Sequence, residues 1–299
     1  MNLSINNFVL AAAVILLLLP ANLFAGPVIK AQVSILPQKY FVERIGRDNV
    51  NVDVLVKPGK SPATYSPSPG QMKKLASSDV YFRIGVPFEN GILYKIKSIA
   101  GITIVDTRKG IVLRNMDEHH HDKDAINDST GGHSRYIGKD PHIWMSPALV
   151  KIQAMTIFQA LSNLDPDSRD KYEKNYKLFI KDLDELDNNL KTTLRGLKGR
   201  NLFVFHPFFG YFTDAYGLKQ VAIETMGKSP KGKTLSNIIK LAKNQKVRVI
   251  FVQPQFDRNA AQKIASAIKG AVVSIDPLAY DYLANMKNIA KTIAGTLKK

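Results

Sequence analysis

Residues 165–197 read DPDSRDKYEKNYKLFIKDLDELDNNLKTTLRGL, and this stretch decides how the chain is organised. Asp165 followed by Pro166 is typical of a helix start, because aspartate is a favoured N-cap and proline fits the first helical position. Apolar side chains then recur at spacings of three and four residues, which predicts one amphipathic helix from about Pro166 to Leu197. At a rise of about 1.5 Å per residue it would span roughly 45 Å. We interpret it as a rigid strut rather than a member of a helix bundle, since no second stretch pairs with it.

On both sides of this helix, short β-branched runs alternate with helical patterns, which indicates α/β lobes with parallel sheets. The predicted strands are 28–35, 50–56, 79–85 and 102–106 before the helix, and 202–206, 220–224, 247–253 and 272–276 after it. The fold class is therefore α/β, with two similar lobes bridged by one long helix. The predicted divisions are a signal peptide at 1–25, an N-terminal lobe at 26–164, the bridging helix at 165–198 and a C-terminal lobe at 199–299.

The N-terminus and the composition indicate an exported protein. The apolar run from Phe8 to Leu19 is too short to span a bilayer comfortably, so we expect a signal peptide cleaved after about Ala25, with an uncleaved anchor as the alternative. The chain has no cysteine, which excludes disulfides and a lipid-modified cysteine and limits metal ligands to nitrogen and oxygen. We expect a periplasmic monomer.

The formal net charge of +17 does not indicate nucleic-acid binding. The lysines are scattered over predicted helices and loops and are not interleaved with aromatic residues along one stripe. We interpret the charge as a solvated surface, so any attraction of a cation must be local.

Residues 115–138 form a polar loop inserted in the N-terminal lobe, without apolar periodicity. From Asp117 to Asp128 it has five carboxylates against one lysine, which gives the local negative field that the whole chain lacks. Such a tract is a compositional metal-binding signal, and we expect it to gather metal for the cleft; the alternative is a solvated loop with incidental histidines. Its four histidines, which are auxiliary metal-ligand candidates, are His119, His120, His121 and His133.

Three further residues combine ligand chemistry with a suitable position. His142 follows Pro141, which stiffens the approach, whereas His206 and Asp276 each end a predicted strand of the second lobe. Ligands of open α/β sheets bind beyond the carboxyl ends of the strands, and imidazole with carboxylate suits zinc. Taken singly, each has an ordinary alternative as a buried hydrogen-bonded histidine or a helix-capping aspartate.

Four segments together resemble the zinc- and manganese-binding solute receptors of bacterial ABC transporters. They are 140–147 (DPHIWMSP), 203–212 (FVFHPFFGYF), 251–256 (FVQPQF) and 275–278 (IDPL). The resemblance implies a metal held between the lobes by His142, His206 and Asp276, and delivery to a membrane permease. Glutamate is frequent at the position of His206 in manganese receptors, so histidine favours Zn(II) as the transported ligand over Mn(II).

One position departs from this pattern. Ala63 stands where the family has its first histidine, and alanine cannot bind a metal. Water, a loop histidine, Tyr65 or Glu224 would then complete four-coordination, with water and a loop histidine preferred.

Two other functional classes are compatible with the same residues. One is an adhesin or interaction protein whose metal site is weak or partly lost. The other is a metal-dependent hydrolase using the open coordination position, which ranks lower because the chain has no His-Glu-x-x-His pair, nucleophile elbow or phosphate-binding glycine loop. We predict a receptor without enzymatic activity.

Overall fold

The computed structural model describes residues 28–116, 138–224, 230–256 and 258–298. The predicted signal peptide and the loop histidines His119, His120, His121 and His133 lie outside the described residues. Within the described ranges, no helix combines the length and the apolar character needed to cross a membrane.

The first half of the chain alternates strands and helices as its apolar pattern predicts. Its elements are β1 (Ile29–Val33), α1 (Leu36–Gly46), β2 (Val50–Val54), α2 (Pro69–Ala76), β3 (Val80–Arg83), α3 (Phe88–Lys97), β4 (Thr103–Asp106) and α4 (Pro147–Leu164). The edges of the polar loop pair across its base, where Asn115 and Lys139 form an antiparallel bridge.

The second half repeats the alternation after the long helix α5 (Arg169–Thr193). Its elements are β5 (Asn201–Val204), α6 (Gly210–Tyr216), β6 (Lys219–Ala222), α7 (Gly232–Asn244), β7 (Val249–Val252), α8 (Arg258–Ala267), β8 (Ala271–Ser274) and α9 (Tyr282–Leu297). All eight predicted strands are present and each is one to three residues shorter than predicted, with β5, β6 and β8 beginning one residue earlier.

The described strands form two four-stranded parallel sheets with the same topology. The order is β2-β1-β3-β4 in the first and β6-β5-β7-β8 in the second. Each sheet reverses its strand order beside its first strand, between β1 and β3 and between β5 and β7. This switch point leaves a crevice at the carboxyl ends of the strands. The predicted two-lobed α/β fold is confirmed.

The long helix is shorter than the periodicity predicts. Pro166–Ser168 forms a separate 3₁₀ turn, so α5 begins at Arg169 and its 25 residues span about 37 Å. Tyr172, Phe179 and the leucines on the same face are buried against α4 and α1 of the first lobe and α9 of the second. The helix thus contacts elements of both lobes, but it is a packed member of a helical layer rather than a free-standing strut.

A buried polar cluster fills the first lobe's crevice. The Glu89 side chain is fully buried at the carboxyl ends of β1 and β3 and accepts hydrogen bonds from Ile84 N (2.9 Å), Gly85 N (2.8 Å) and Ser34 Oγ (2.5 Å). Arg83 Nε lies 3.2 Å from the same carboxylate. Because its charge is compensated, the carboxylate can remain in the interior.

The lobes also contact each other directly. The rings of Phe41 and Tyr282 meet edge to face at 5.0 Å, and Tyr280 Oη donates to Glu43 Oε2 at 2.6 Å. The indole of Trp144 is buried and donates from Nε1 to Pro277 O at 2.9 Å. Trp144 therefore ties the segment that carries His142 to the residue after Asp276.

Candidate metal centre between the lobes

The carboxyl edge of the second sheet presents four polar side chains. Glu224, His206, Gln253 and Asp276 follow β6, β5, β7 and β8, which is their order along the edge. His206 lies next to the switch point, and Gln253 Nε2 donates to its carbonyl oxygen at 3.4 Å.

His142 approaches His206 from the first lobe. It precedes a 3₁₀ turn, Ile143–Met145, and its ring centroid lies 5.3 Å from that of His206 with the planes 80° apart. Trp144 meets the ring of His142 edge-on at 5.2 Å, and Phe256 stacks on His206 at 4.7 Å. These aromatic contacts restrict both imidazoles and shield them from water.

Each imidazole is held by a carboxylate at its Nδ1. His142 Nδ1 lies 2.7 Å from Asp140 Oδ1, and His206 Nδ1 is hydrogen-bonded to Glu224 Oε1. An ionised carboxylate only accepts hydrogen bonds, so Nδ1 carries the proton and Nε2 of the neutral ring keeps its lone pair. This carboxylate-histidine arrangement is the usual support for a metal-binding imidazole. We call His142, His206, Asp140 and Glu224 the two-histidine cluster.

The electrostatics of the cluster favour this protonation pattern. Burial alone would raise the pKa of Asp140, but the adjacent His142 ring and the Arg114 guanidinium outweigh it and hold that pKa below its ordinary value. Burial lowers the pKa of His206, although the hydrogen bond with Glu224 acts in the opposite direction. A negative carboxylate and a neutral imidazole are the states that metal binding requires.

Asp276 lies on the same edge but does not join the cluster. Its Oδ1 accepts hydrogen bonds from Gln255 Nε2 (3.0 Å) and Leu278 N (2.9 Å), and β7 separates its strand from that of His206. It lines a cavity of about 30 Å³ with Lys57, Gly59 and other residues of both lobes. Among the described residues, no group of three histidine, aspartate or glutamate side chains converges to hold a metal ion.

The two auxiliary metal-ligand candidates in the described ranges, Tyr65 and Glu224, differ in the hydrogen bonds that their oxygen atoms make. Tyr65 donates its hydroxyl to Gln71 Oε1 at 2.9 Å and packs against Phe88. Glu224 is bound through Oε1, whereas its buried Oε2 has no hydrogen-bond partner among the described residues. Ala63 is exposed in a turn and brings no ligand atom.

Sequence reasoning missed the supporting roles of Asp140, Trp144 and Phe256. The Asp-x-His spacing at 140–142 is a local signal for the first, because both His142 N and Nδ1 can reach the same carboxylate oxygen. The contacts of Trp144 with Pro277 and of Phe256 with His206 join distant segments, for which the sequence contains no comparable signal.

Comparison with known proteins gives a consistent assignment. The family model described as "ZnuA: Zinc-uptake complex component A periplasmic" matches residues 32–296. The high-affinity zinc uptake system protein ZnuA of Bacillus subtilis is 28% identical over 240 residues, covering 79% of this chain and 73% of the relative. The protein of the same name from Yersinia pestis is 26% identical and covers 89% of this chain and 87% of its own length.

Solved structures agree with the family match. A crystal structure of ZnuA superposes with a TM-score of 0.81 at 38% identity, covering 90% of this chain and 98% of the other. The laminin-binding protein of Streptococcus agalactiae, described as bifunctional with adhesin and metal transporting activity, has a TM-score of 0.76 and covers 90% of this chain and 99% of its own. At 20% identity that likeness extends to the fold alone.

Proposed function

The chain belongs to the family of periplasmic zinc-uptake components, and from this membership we propose that it is the extracytoplasmic receptor that binds Zn(II) and delivers it to the permease of an ABC transporter. The two-histidine cluster is the observation that carries the proposal. The two imidazoles come from different lobes, and their ring centroids are 5.3 Å apart. One ion at zinc–nitrogen distances of about 2.0–2.1 Å is within reach of both rings.

We assign Asp276 as the third ligand. It lies at the same sheet edge as His206, and Pro277 after it is tied to the His142 segment through Trp144. Its Oδ1 accepts hydrogen bonds from Gln255 and from Leu278 N, so it would bind the ion through Oδ2, or through Oδ1 after giving up the hydrogen bond from Gln255.

The same contacts bear on the choice of the fourth ligand. Glu224 Oε2 is buried beside His206 and without a partner among the described residues, but Oε1 is bound to Nδ1, on the far side of the ring from the Nε2 that would bind zinc. A direct bond would require Glu224 to leave His206, so a water molecule is the better candidate. Tyr65 is less suitable because Gln71 accepts its hydroxyl proton. A histidine of the 115–138 loop remains a candidate ligand.

Zinc titration with ligand variants tests the proposal. Trp144 is the chain's only tryptophan and touches His142, so its fluorescence should report binding directly. We expect one zinc per protein in the cleft, and a loss of affinity in His142→Ala, His206→Ala and Asp276→Ala. Asp53→Ala, which removes a carboxylate paired with Lys74 outside the cleft, is the matched control. Full zinc affinity in both histidine variants would refute the assignment.

The remaining parts of the proposal concern the cellular setting. As a receptor, the protein captures and releases zinc without a catalytic step, as a monomer in the periplasm, and its partner is a membrane permease. The adhesin alternative gains no specific support, because the laminin-binding relative shares only the fold.

A further inference from the structure

A set of polar contacts joins the lobes immediately behind His142. Arg114 contributes Nη1 to Asp140 Oδ2 (3.3 Å) and Nε to Asp214 Oδ2 (3.1 Å), so its guanidinium lies between carboxylates of the first and second lobes. Tyr211 Oη accepts from Arg114 N at 3.1 Å and donates to Asp140 O at 2.9 Å. We call Arg114, Asp140, Tyr211 and Asp214 the interlobe clasp.

The interlobe clasp is connected to both imidazoles by short contacts. Asp140 is fully buried. Its Oδ1 is hydrogen-bonded to His142, and its Oδ2 is paired with the Arg114 guanidinium. Tyr211 and Asp214 belong to α6, which begins four residues after His206. A shift of the Arg114 side chain would therefore move His142 through the Asp140 carboxylate. It would also move the His206 segment through the short helix α6.

Gly210 leaves the space that Arg114 occupies. A Cβ atom at residue 210 would stand 1.4 Å from Arg114 Nη1 and 2.6 Å from Asp140 Oδ2. The guanidinium thus lies against the start of α6, where any larger residue would displace it. The fit between this glycine and the arginine is specific, because the planar group offers several donors in fixed directions.

We propose that Arg114 is a positioning residue for metal capture, which fixes the orientation of His142 relative to His206 through the interlobe clasp. The inference rests on the proposed zinc receptor function and adds a residue that touches neither ligand nor metal. Removing one partner of a buried ion pair leaves the other charge uncompensated in the interior, which is unfavourable. Without Arg114, Asp140 Oδ2 would turn toward water, which would shift Oδ1 and the His142 ring bound to it. The two Nε2 atoms would then no longer be positioned for one ion.

The experiment compares Arg114→Gln with Arg108→Gln. The control arginine is matched: both side chains are 20% exposed, and Arg108 binds Asp106 with Nη2 at 2.7 Å, away from the two-histidine cluster. Imidazole ¹⁵N spectra of the metal-free proteins give the His142 tautomer, and zinc competition and the visible spectrum of the Co(II) form give affinity and geometry. For Arg114→Gln we expect mixed tautomers, an altered Co(II) spectrum and a loss of about 10-fold in zinc affinity, as for residues that support metal ligands.

The expected controls separate positioning from general destabilisation. Arg108→Gln should keep the wild-type tautomer and affinity, and Arg114→Lys, which can still reach Asp140, should recover most of the loss. An unchanged His142 tautomer in folded Arg114→Gln overturns the inference, whatever its zinc affinity. If that variant does not fold, Gly210→Ala, which displaces the guanidinium, is judged by the same criterion. A wild-type protein that binds no zinc refutes the proposed function instead, while the metal-free tautomers still decide the role of Arg114.

Discussion

The hydrogen bond between Glu224 and His206 controls both the orientation and the protonation of that imidazole. Burial lowers the pKa of His206 and the glutamate opposes this effect, so removing the carboxylate should lower the pKa further. We predict that Glu224→Gln moves the NMR titration of metal-free His206 to lower pH and weakens zinc binding about 10-fold, through loss of the supporting contact. The exposed Glu173→Gln, which breaks only an ion pair with Lys177, is the control. A raised His206 pKa in Glu224→Gln would contradict the prediction.

The direction of the His206 shift also gives a pH dependence. Because its pKa in the folded protein is below the ordinary value of 6.5, the ring becomes protonated at lower pH than an ordinary histidine. Its contribution to zinc affinity should therefore persist to lower pH than that of an ordinary histidine and be lost as pH falls through the lowered pKa, because zinc needs the neutral ring. Competition titrations between pH 7.5 and 5 measure this, and a fall of affinity that begins above pH 6.5 in His142→Ala would argue against it.

At the scale of elements, α5 offers an internal comparison between its two faces. Leu186 is 1% exposed and packed between the helices of both lobes, whereas Leu178 on the same helix is 48% exposed. We predict that Leu186→Ala lowers the free energy of unfolding by about 2–5 kcal/mol through lost burial and a cavity. Leu178→Ala should change it by less than about 0.5 kcal/mol, as is usual for surface positions. Urea denaturation measures both, and equal losses would show that the helix is not packed as described.

The elements also show what the sequence could and could not predict. Strands such as β5 and β7 were predictable because their apolar runs are short, β-branched and bounded by turn residues. The periodicity predicted that the long helix begins at Pro166, whereas residues 166–168 form a 3₁₀ turn. Periodicity alone does not distinguish such a turn from the first turn of an α-helix. His142 and His206 were predicted from motif and strand position together. The role of Arg114 was not, because it depends on contacts with residues about 26 and 100 positions away.

On the scale of the whole molecule, zinc held by residues of both lobes should stabilise the complete fold. A ligand that binds only the folded state adds about 2.7 kcal/mol at one hundred times its Kd. We predict that zinc raises the thermal midpoint in a single cooperative transition, because the lobes share α5 and the Trp144–Pro277 contact. Calorimetry of the wild type and of His142→Ala measures this. A zinc-dependent shift of equal size in the variant would place the stabilising ion elsewhere.

The identical strand order of the two sheets gives the molecule two crevices in equivalent positions, but different side chains line them. In the first lobe the crevice is closed by the chain's own carboxylate, Glu89, compensated by Arg83 and by backbone amides. In the second lobe the corresponding edge of the sheet carries His206, whose Nδ1 is hydrogen-bonded to Glu224, so an imidazole stands there instead of an ion-paired carboxylate. The repeated topology therefore serves two different purposes: the first crevice is closed by an internal ion pair, and the second is where the proposed receptor would bind and release its ion.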